Sequence, residues 1–376
     1  IEKFGNLNLR NGGQASWENK FQDAFYGELA LETHVVASGW RPVEVYLNGE
    51  YWGVYGAREK TDEQFVEDNF GWDDNAVDLV SAFASLSGGP SAFEATVDPL
   101  LELPDGSGSF HDAFEQNFDV ASYIDYHIFE IHGQNVDWIA APWGQNNVKF
   151  FRANTGDGLW RPMLYDTDAC FGAWGTSPYE NYLSLTLNPP YQSRFTDLFK
   201  KVMADGDYQC RFATRTCDLL ETTFSEDVFD ARLSMTAANM APAMVHHIEM
   251  WDSPASMSYW QQRIEHMRNH NEIRATPERT QVRNEFGYSD PELLTVSWSP
   301  PFGGEVTVNE MEGLGSGWDG EYFGECPVRI AAIPGTGFGF LGWQSNYHID
   351  MGWVDANDPF VEVSLEEDDQ FFAIFG

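Results

Sequence analysis

The segment from Asn135 to Gly172 constrains this chain most, because two β-rich runs, 148–152 and 159–165, flank the turn N-T-G-D-G. Gly156-Asp157 is a hairpin signal, and strands reversed about it set residues whose numbers sum to about 313 opposite one another. Asn147 and Asp166 meet that sum, so an amide and a carboxylate distant in sequence come to the open end of one hairpin. Asp168 follows Asp166 at i+2, which in an extended chain points the same way. Oxygen ligands converging like this suit Mg²⁺ or Mn²⁺, with a substrate phosphate completing the shell.

Asp137 precedes a loop of Ala140, Ala141 and Pro142, which is read as leaving it free to approach a substrate hydroxyl. In phosphoryl transfer an aspartate takes that proton, while an asparagine and a further aspartate hold the metal on the phosphates. The order Asp, Asn, hairpin, Asp matches those parts. In the competing reading Asp137 caps a turn and Asp166 and Asp168 form an Asx-type loop; spacing leaves the two level. Ca²⁺ is a further option, although D-T-D-A-C-F-G lacks the distal acid of an EF-hand loop. Arg10, before Gly12-Gly13, can serve as a charge clamp beneath a phosphate, with an ordinary turn the stronger reading. Glu59 can orient a basic residue or the metal, and a surface ion pair explains it equally well.

Charge removes one class of partner. The chain has 59 acidic against 21 basic residues, a formal net charge of −38, whereas phosphate backbones call for a basic surface. Nucleic acid is therefore excluded. The acidity fits a secreted protein from a saline or calcium-rich setting as well as it fits a merely solvated surface. No apolar run of 18 or more residues is present, so no membrane span is expected. The chain begins at Ile1, with neither an initiating methionine nor a signal peptide, and is read as a processed or trimmed product. Of its cysteines, Cys210 and Cys217 are the expected disulfide, with Cys170 and Cys326 free; without a C-x-x-C pair a structural zinc is not expected.

At 376 residues, two domains are the first expectation. Residues 1–60 read as β-rich, with a hairpin over 41–55 around Asn48-Gly49. A capping box, Thr61 to Gln64, opens a helix ending near Phe70-Gly71. Residues 84–109, rich in Ser, Gly and Pro, read as a long mobile loop. From 111 to about 285 the pattern is helical: Asp119 is an N-cap ahead of an Ile124, Ile128, Ile131 stripe, and further helices fall near 192–204, 209–222, 226–250 and 255–272. After about residue 290 alternating strands with Gly and Pro turns read as a small all-β module. Trp52, Trp160 and Trp343 sit inside strand patterns and are expected in cores.

Five ordered segments carry a resemblance: L-R-N-G-G at 9–13, R-P-V-E-V-Y-L-N-G-E-Y-W-G-V-Y with Glu59 at 41–59, N-V-D at 135–137, N-N-V-K-F-F at 146–151, and Y-D-T-D-A-C-F-G at 165–172. Together they resemble the CotH kinase family, atypical protein kinases named after spore coat protein H. The resemblance covers roughly 1–287 and implies an α+β fold, a divergent bilobal kinase-like domain over 1–287, followed by a module at 288–376 similar to the β-repeats of secreted bacterial surface proteins. It implies transfer of the ATP γ-phosphate, with Mg²⁺ or Mn²⁺, to Ser or Thr of surface proteins by an extracellular monomer. Asp137 takes the catalytic position and Asn147 and Asp166 the metal-binding ones; Asp168 completes the paired-aspartate motif, and Arg10 and Glu59 attend the nucleotide. Two departures stand out: Tyr165 where the family has Trp, and no evident small-lobe lysine for the phosphates, with Lys60, Lys20 or Arg10 as substitutes. The alternatives are a non-catalytic relative serving adhesion and, on aromatic content alone, a carbohydrate binder.

Overall fold

Residues 5–82, 85–87, 90–344 and 347–376 are described in the computed structural model of the chain. They divide into two units, Ile1–Asp205 with Thr223–Glu278, and Gly206–Thr222 with Arg279–Gly376.

The first unit opens with β1 (Leu7–Arg10), α1 (Gln22–Ala30), β2 (Val36–Ala37), β3 (Trp40–Leu47) and β4 (Glu50–Glu59). Asn48 and Gly49 take φ of 53° and 86°, the left-handed pair that a tight hairpin demands, and β3 and β4 pair as expected. β1 adds antiparallel to β4, with Asn8 opposite Arg58 and Arg10 opposite Gly56. Because side chains alternate, Arg10 and Arg58 emerge on one face of this sheet. α1 corrects the β-rich reading of this region: Phe25, Tyr26, Leu29 and Ala30 are all buried, and a helix covered on nearly every side shows no polar face to betray its period.

Next come α2 (Glu63–Phe70), β5 (Val77–Ser81), β6 (Ser85–Ser87), α3 (Pro90–Glu102), α4 (Gly108–Glu115) and α5 (Val120–His132). Asp62, not Thr61, caps α2, accepting from the Phe65 N–H at 3.2 Å, and Gly71 closes it at φ 71°. Of the loop expected over 84–109, residues 84, 88 and 89 lie outside the described residues, and the rest is mostly helix. Phe93, Val97 and Leu100 repeat at helical spacing and are buried, and Pro90 starts the helix where a missing N–H costs nothing. Asp119 caps α5 as expected, accepting from the Ser122 N–H at 3.1 Å, and Ile124, Ile128 and Ile131 are buried.

The central hairpin joins β7 (Lys149–Ala153) to β8 (Arg161–Leu164). Phe150 faces Pro162 and Phe151 faces Arg161, one residue off the expected register, because the connection is longer than the two-residue turn that Gly156-Asp157 promised. The sheet runs β2-β8-β7-β5-β6, and Phe65, Val66, Val77, Leu79, Phe151, Ala153 and Met163 pack as its core. α6 (Tyr182–Leu187), α7 (Arg194–Val202), α9 (Glu226–Trp251) and α10 (Met257–Phe286, through Glu278) complete this unit. α9 grips the first hairpin: His247 Nδ1 accepts from the Val54 N–H at 3.0 Å and the Trp251 indole donates to the Trp52 carbonyl at 2.8 Å. Trp160 and Trp343 are buried as expected, but Trp52 is 39% exposed, its ring edge-on to Trp251.

The second unit holds α8 (Gly206–Glu221), the end of α10, and the strands β9 (Glu292–Ser299), β10 (Gly304–Val308), β11 (Trp318–Tyr322), β12 (Val328–Pro334), β13 (Phe340–Gln344), β14 (Phe360–Val363) and β15 (Asp369–Phe375). They form two sheets, β10-β12-β14 and β11-β9-β15-β13, with β9 and β15 parallel and the other pairs antiparallel. Cys210 of α8 is bonded to Cys326, and Cys170 and Cys217 are free and buried. This corrects the Cys210–Cys217 expectation. Both lie on α8, where seven residues rise about 10.5 Å, beyond the roughly 7 Å that a disulfide tolerates between Cα atoms.

Candidate functional site

The loop after β8 carries Asp166, Thr167 and Asp168, and Asp166 takes φ 57°, a left-handed turn that Asp tolerates better than most residues. The Arg10 guanidinium bridges the two acids, pairing through one nitrogen with Asp166 and with Asp168 at 2.8 Å. Asp168 also accepts from the Gln14 N–H at 2.7 Å, and Gln22 donates to the Asp168 carbonyl at 3.0 Å. Burial, then Asp166, pushes Asp168 up to about 6. Burial likewise raises Asp166, although Arg10 opposes it. Arg10 is held above its ordinary value: burial works against its charge, but Asp23, Asp166 and Asp168 outweigh burial.

Asp137 lies at the other end of this constellation and is not free, which corrects the reading of its loop. It is 7% exposed, and both carboxylate oxygens accept from the Asn146 amide, at 2.9 and 2.8 Å. Oδ1 also accepts from the Trp143 indole at 2.7 Å, and Oδ2 from the Asn147 amide at 3.1 Å. Asn147 spends the same nitrogen on the Asp166 carbonyl at 3.4 Å, so its oxygen takes no part in these bonds. The one-residue register slip thus does not separate Asn147 from Asp166. They meet through side chain and backbone rather than as facing side chains.

Arg10, Arg58, Glu59, Tyr55, Tyr165 and Asp166 line a cleft of about 460 Å³, within the roughly 300–1,000 Å³ of small-molecule sites. Glu59 is engaged at both oxygens, by the Gly39 N–H at 2.9 Å and the Asn69 amide at 3.0 Å, and so fixes the end of β4. Arg10 thus joins the expected metal-binding acids directly, while Glu59 reaches them only across the cleft wall. The two other suggested cations point elsewhere: Lys60 pairs with Asp62 at 3.0 Å, and Lys20 donates to the Asn11 carbonyl at 2.8 Å, its amine lowered to about 8 by burial.

Five residues escaped the sequence reading. Asp23 on α1 accepts from Arg58 at 2.6 Å, stands 3.5 Å from Arg10 Nε, and is held low because Arg58 and Arg10 together overcome the cost of its burial. Arg58 precedes Glu59 on β4. Lys149 on β7 donates to the Thr61 carbonyl and hydroxyl at 3.0 and 2.7 Å and lies 4.4 Å over the Tyr165 ring, with burial lowering it to about 8. Asn146 and Trp143 cap Asp137. Asn146 and Lys149 fall inside the N-N-V-K-F-F segment but were given no role; Asp23 and Arg58 sit in helix and strand patterns that a core role explains equally, and Trp143 in a loop whose spacing carries no signal.

The donor set fits a divalent cation and an anion side by side. Asp166, Asp168 and the Asn147 oxygen are hard ligands, and two crowded acids share one guanidinium. Among the described residues, Arg58 Nε is buried without a hydrogen-bond partner and Arg10 Nε has only the Asp23 carboxylate at 3.5 Å, so donor capacity remains for an acceptor such as a phosphate oxygen. The family model described as CotH kinase protein matches residues 2–276. No curated protein matches the chain.

Proposed function

We propose, from the premise that the chain belongs to the CotH kinase protein family, that this kinase-like protein transfers the ATP γ-phosphate to Ser or Thr hydroxyls of proteins. On this reading the first unit is a divergent bilobal kinase-like domain, and the strands after residue 290 are a spacer or attachment module at a bacterial cell surface. The observation that carries the proposal is the convergence of Asp137, Asn147, Asp166 and Asp168 beside a cleft lined by two guanidinium groups. The Cys210–Cys326 disulfide supports an oxidising, extracellular setting.

Asn147, Asp166 and Asp168 would hold Mg²⁺ or Mn²⁺, which when bound neutralises charge on the phosphates. Arg10 and Arg58 present N–H groups to the phosphate oxygens in place of the missing lysine, each charge-assisted contact contributing about 1.5–3 kcal/mol. Asp137 orients the acceptor hydroxyl and takes its proton as the hydroxyl oxygen bonds to the γ-phosphorus and the bond to the ADP oxygen breaks. Tyr165 and Tyr55 wall the cleft beside which that step takes place.

Labelled γ-phosphate transfer, including autophosphorylation, with Mn²⁺ and ATP tests the proposal. Transfer by the wild type and its loss in Asp166→Ala are expected; equal transfer in both overturns the metal assignment. One observation favours a second reading, a nucleotide- and metal-binding relative without transfer: both oxygens of Asp137 are already engaged by neighbouring donors. Nucleotide-dependent thermal stabilisation with no transfer would select it.

A further inference from the structure

Asp23 has no place in the reaction described above, yet it touches both guanidinium groups of the site and the loop that carries its paired acids. Its Oδ2 accepts from Arg58 at 2.6 Å and lies 3.5 Å from Arg10 Nε. Its Oδ1 accepts from the Thr167 N–H at 3.1 Å and the Thr167 hydroxyl at 3.2 Å. Thr167 stands between Asp166 and Asp168, so the second oxygen of Asp23 grips the loop that carries both acids. Asp23 is 7% exposed and is itself anchored on α1, a helix buried on most sides.

Resting on the phosphotransfer reading, we propose that Asp23 is a positioning residue: it locks the Arg10–Arg58 pair and the Asp166–Asp168 loop into one rigid body. A carboxylate is the group this position requires. Arg58 and Thr167 both donate, so both oxygens must accept, and no neutral isostere offers two acceptor atoms. In Asp23→Asn one arm necessarily sets an amide N–H₂ against a donor. Either the guanidinium is released or the Thr167 peptide turns away, and each outcome displaces the paired acids. Outer partners of this kind orient the ligands that hold a cation, and their loss typically costs about 10–100-fold in metal affinity.

The test is titration calorimetry with Mn²⁺ alone, run beside autophosphorylation, on the full chain and on Asp23→Asn. Asp98→Asn, which removes an exposed partner of Arg194, serves as control. Mn²⁺ binding at least about 10-fold weaker in Asp23→Asn, with transfer falling in parallel and the control unchanged, supports the proposal. A merely structural role would lower the unfolding midpoint and leave both the Mn²⁺ affinity and the turnover of the folded fraction as in the wild type; that result overturns it. If Asp23→Asn does not fold, Asp23→Asn with Arg58→Gln, which removes the stranded guanidinium, carries the same expectation for Mn²⁺. A wild type that transfers phosphate while Asp23→Asn is unaffected sinks this inference alone. A wild type that neither binds Mn²⁺ nor transfers phosphate sinks it together with the proposed function.

Discussion

Two buried acids in this molecule are raised to about the same value, near 6, chiefly by burial but in different surroundings. Asp168 in the first unit is raised by burial and then by Asp166, and the pair shares one guanidinium at the edge of an open cleft. Asp218 in the second unit is raised by burial, with a smaller push from Glu310, against Arg215 and two neutral donors: the Asn309 amide and the Tyr322 hydroxyl both donate to its Oδ1 at 2.8 Å. The first arrangement is crowded with like charge that a cation would relieve. The second is a satisfied structural carboxylate that holds a helix to a sheet. A raised acid therefore marks a candidate site only when a second acid crowds it at close range and a route to ligand lies beside it.

The largest expected effect breaks or keeps this distinction directly. Asp166→Ala should lower phosphate transfer by about 100-fold or more, the scale on which positioned catalytic groups act, whereas Asp218→Asn should leave transfer within about two-fold. Rate measurements on both variants check this. Comparable losses in the two would mean that Asp218 is functionally coupled to the site and that the contrast is false.

Within the second unit, replacing Cys210 and Cys326 by Ser should cost roughly 2–5 kcal/mol of unfolding free energy. Urea unfolding of oxidised, reduced and doubly substituted chains measures it. Mn²⁺ affinity should not change, which sharpens the view that this unit supports rather than performs the chemistry.

That disulfide also shows what the sequence could and could not disclose. Adjacency of Cys210 and Cys217 pointed to the wrong pair, because a partner 116 residues away becomes visible only once α8 is packed on the strands. The Asn48-Gly49 hairpin, the Asp119 cap and most of the strands after residue 290 were legible, since each rests on local turn chemistry or a clear period. α1 and α3 were not: one is buried on almost every side, and the other hides in a stretch of Ser, Gly and Pro. The site divides in the same way. Asn147 and Asp166 could be read from the reversal of one hairpin, and Asp168 and Asp137 from their spacing to that pair. Asp23, Arg58 and Trp143 reach it from a helix, another sheet and a loop, by tertiary contacts that no spacing encodes.

The third expected effect concerns pH. The folded state holds the Asp218 proton up to about 6, against an ordinary value of 3.8, so below about pH 4 both folded and unfolded chains are protonated and the group costs nothing. As pH rises through 4 to 6 the unfolded chain ionises first and stability falls. The full loss, up to about 3 kcal/mol, is present above about pH 6. Unfolding free energies at pH 4.5 and 7.5 should therefore differ less in Asp218→Asn than in the wild type. An equal difference in both would show that Asp218 ionises in the folded state as freely as in the unfolded one, and would remove one side of the comparison.

The smallest effect bears on Asp137. Its Oδ1 accepts from the Trp143 indole, and Trp143 is 56% exposed, with its ring edge-on to the equally exposed Trp174. An acceptor hydroxyl docking at Oδ1 must compete with that N–H. Trp143→Phe keeps an aromatic ring and deletes the donor, leaving the Asn146 and Asn147 amides to hold the carboxylate. A hydrogen bond to a charged group is worth about 1.5–3 kcal/mol, and with the donor on an exposed ring the low end applies, so transfer should rise by about 10-fold, with the nucleotide KM unchanged. Steady-state kinetics on the two proteins read this directly. A fall in rate would mean that the indole orients Asp137 rather than competing for it, and Trp143 would then belong with Asp23 among the residues that act through another.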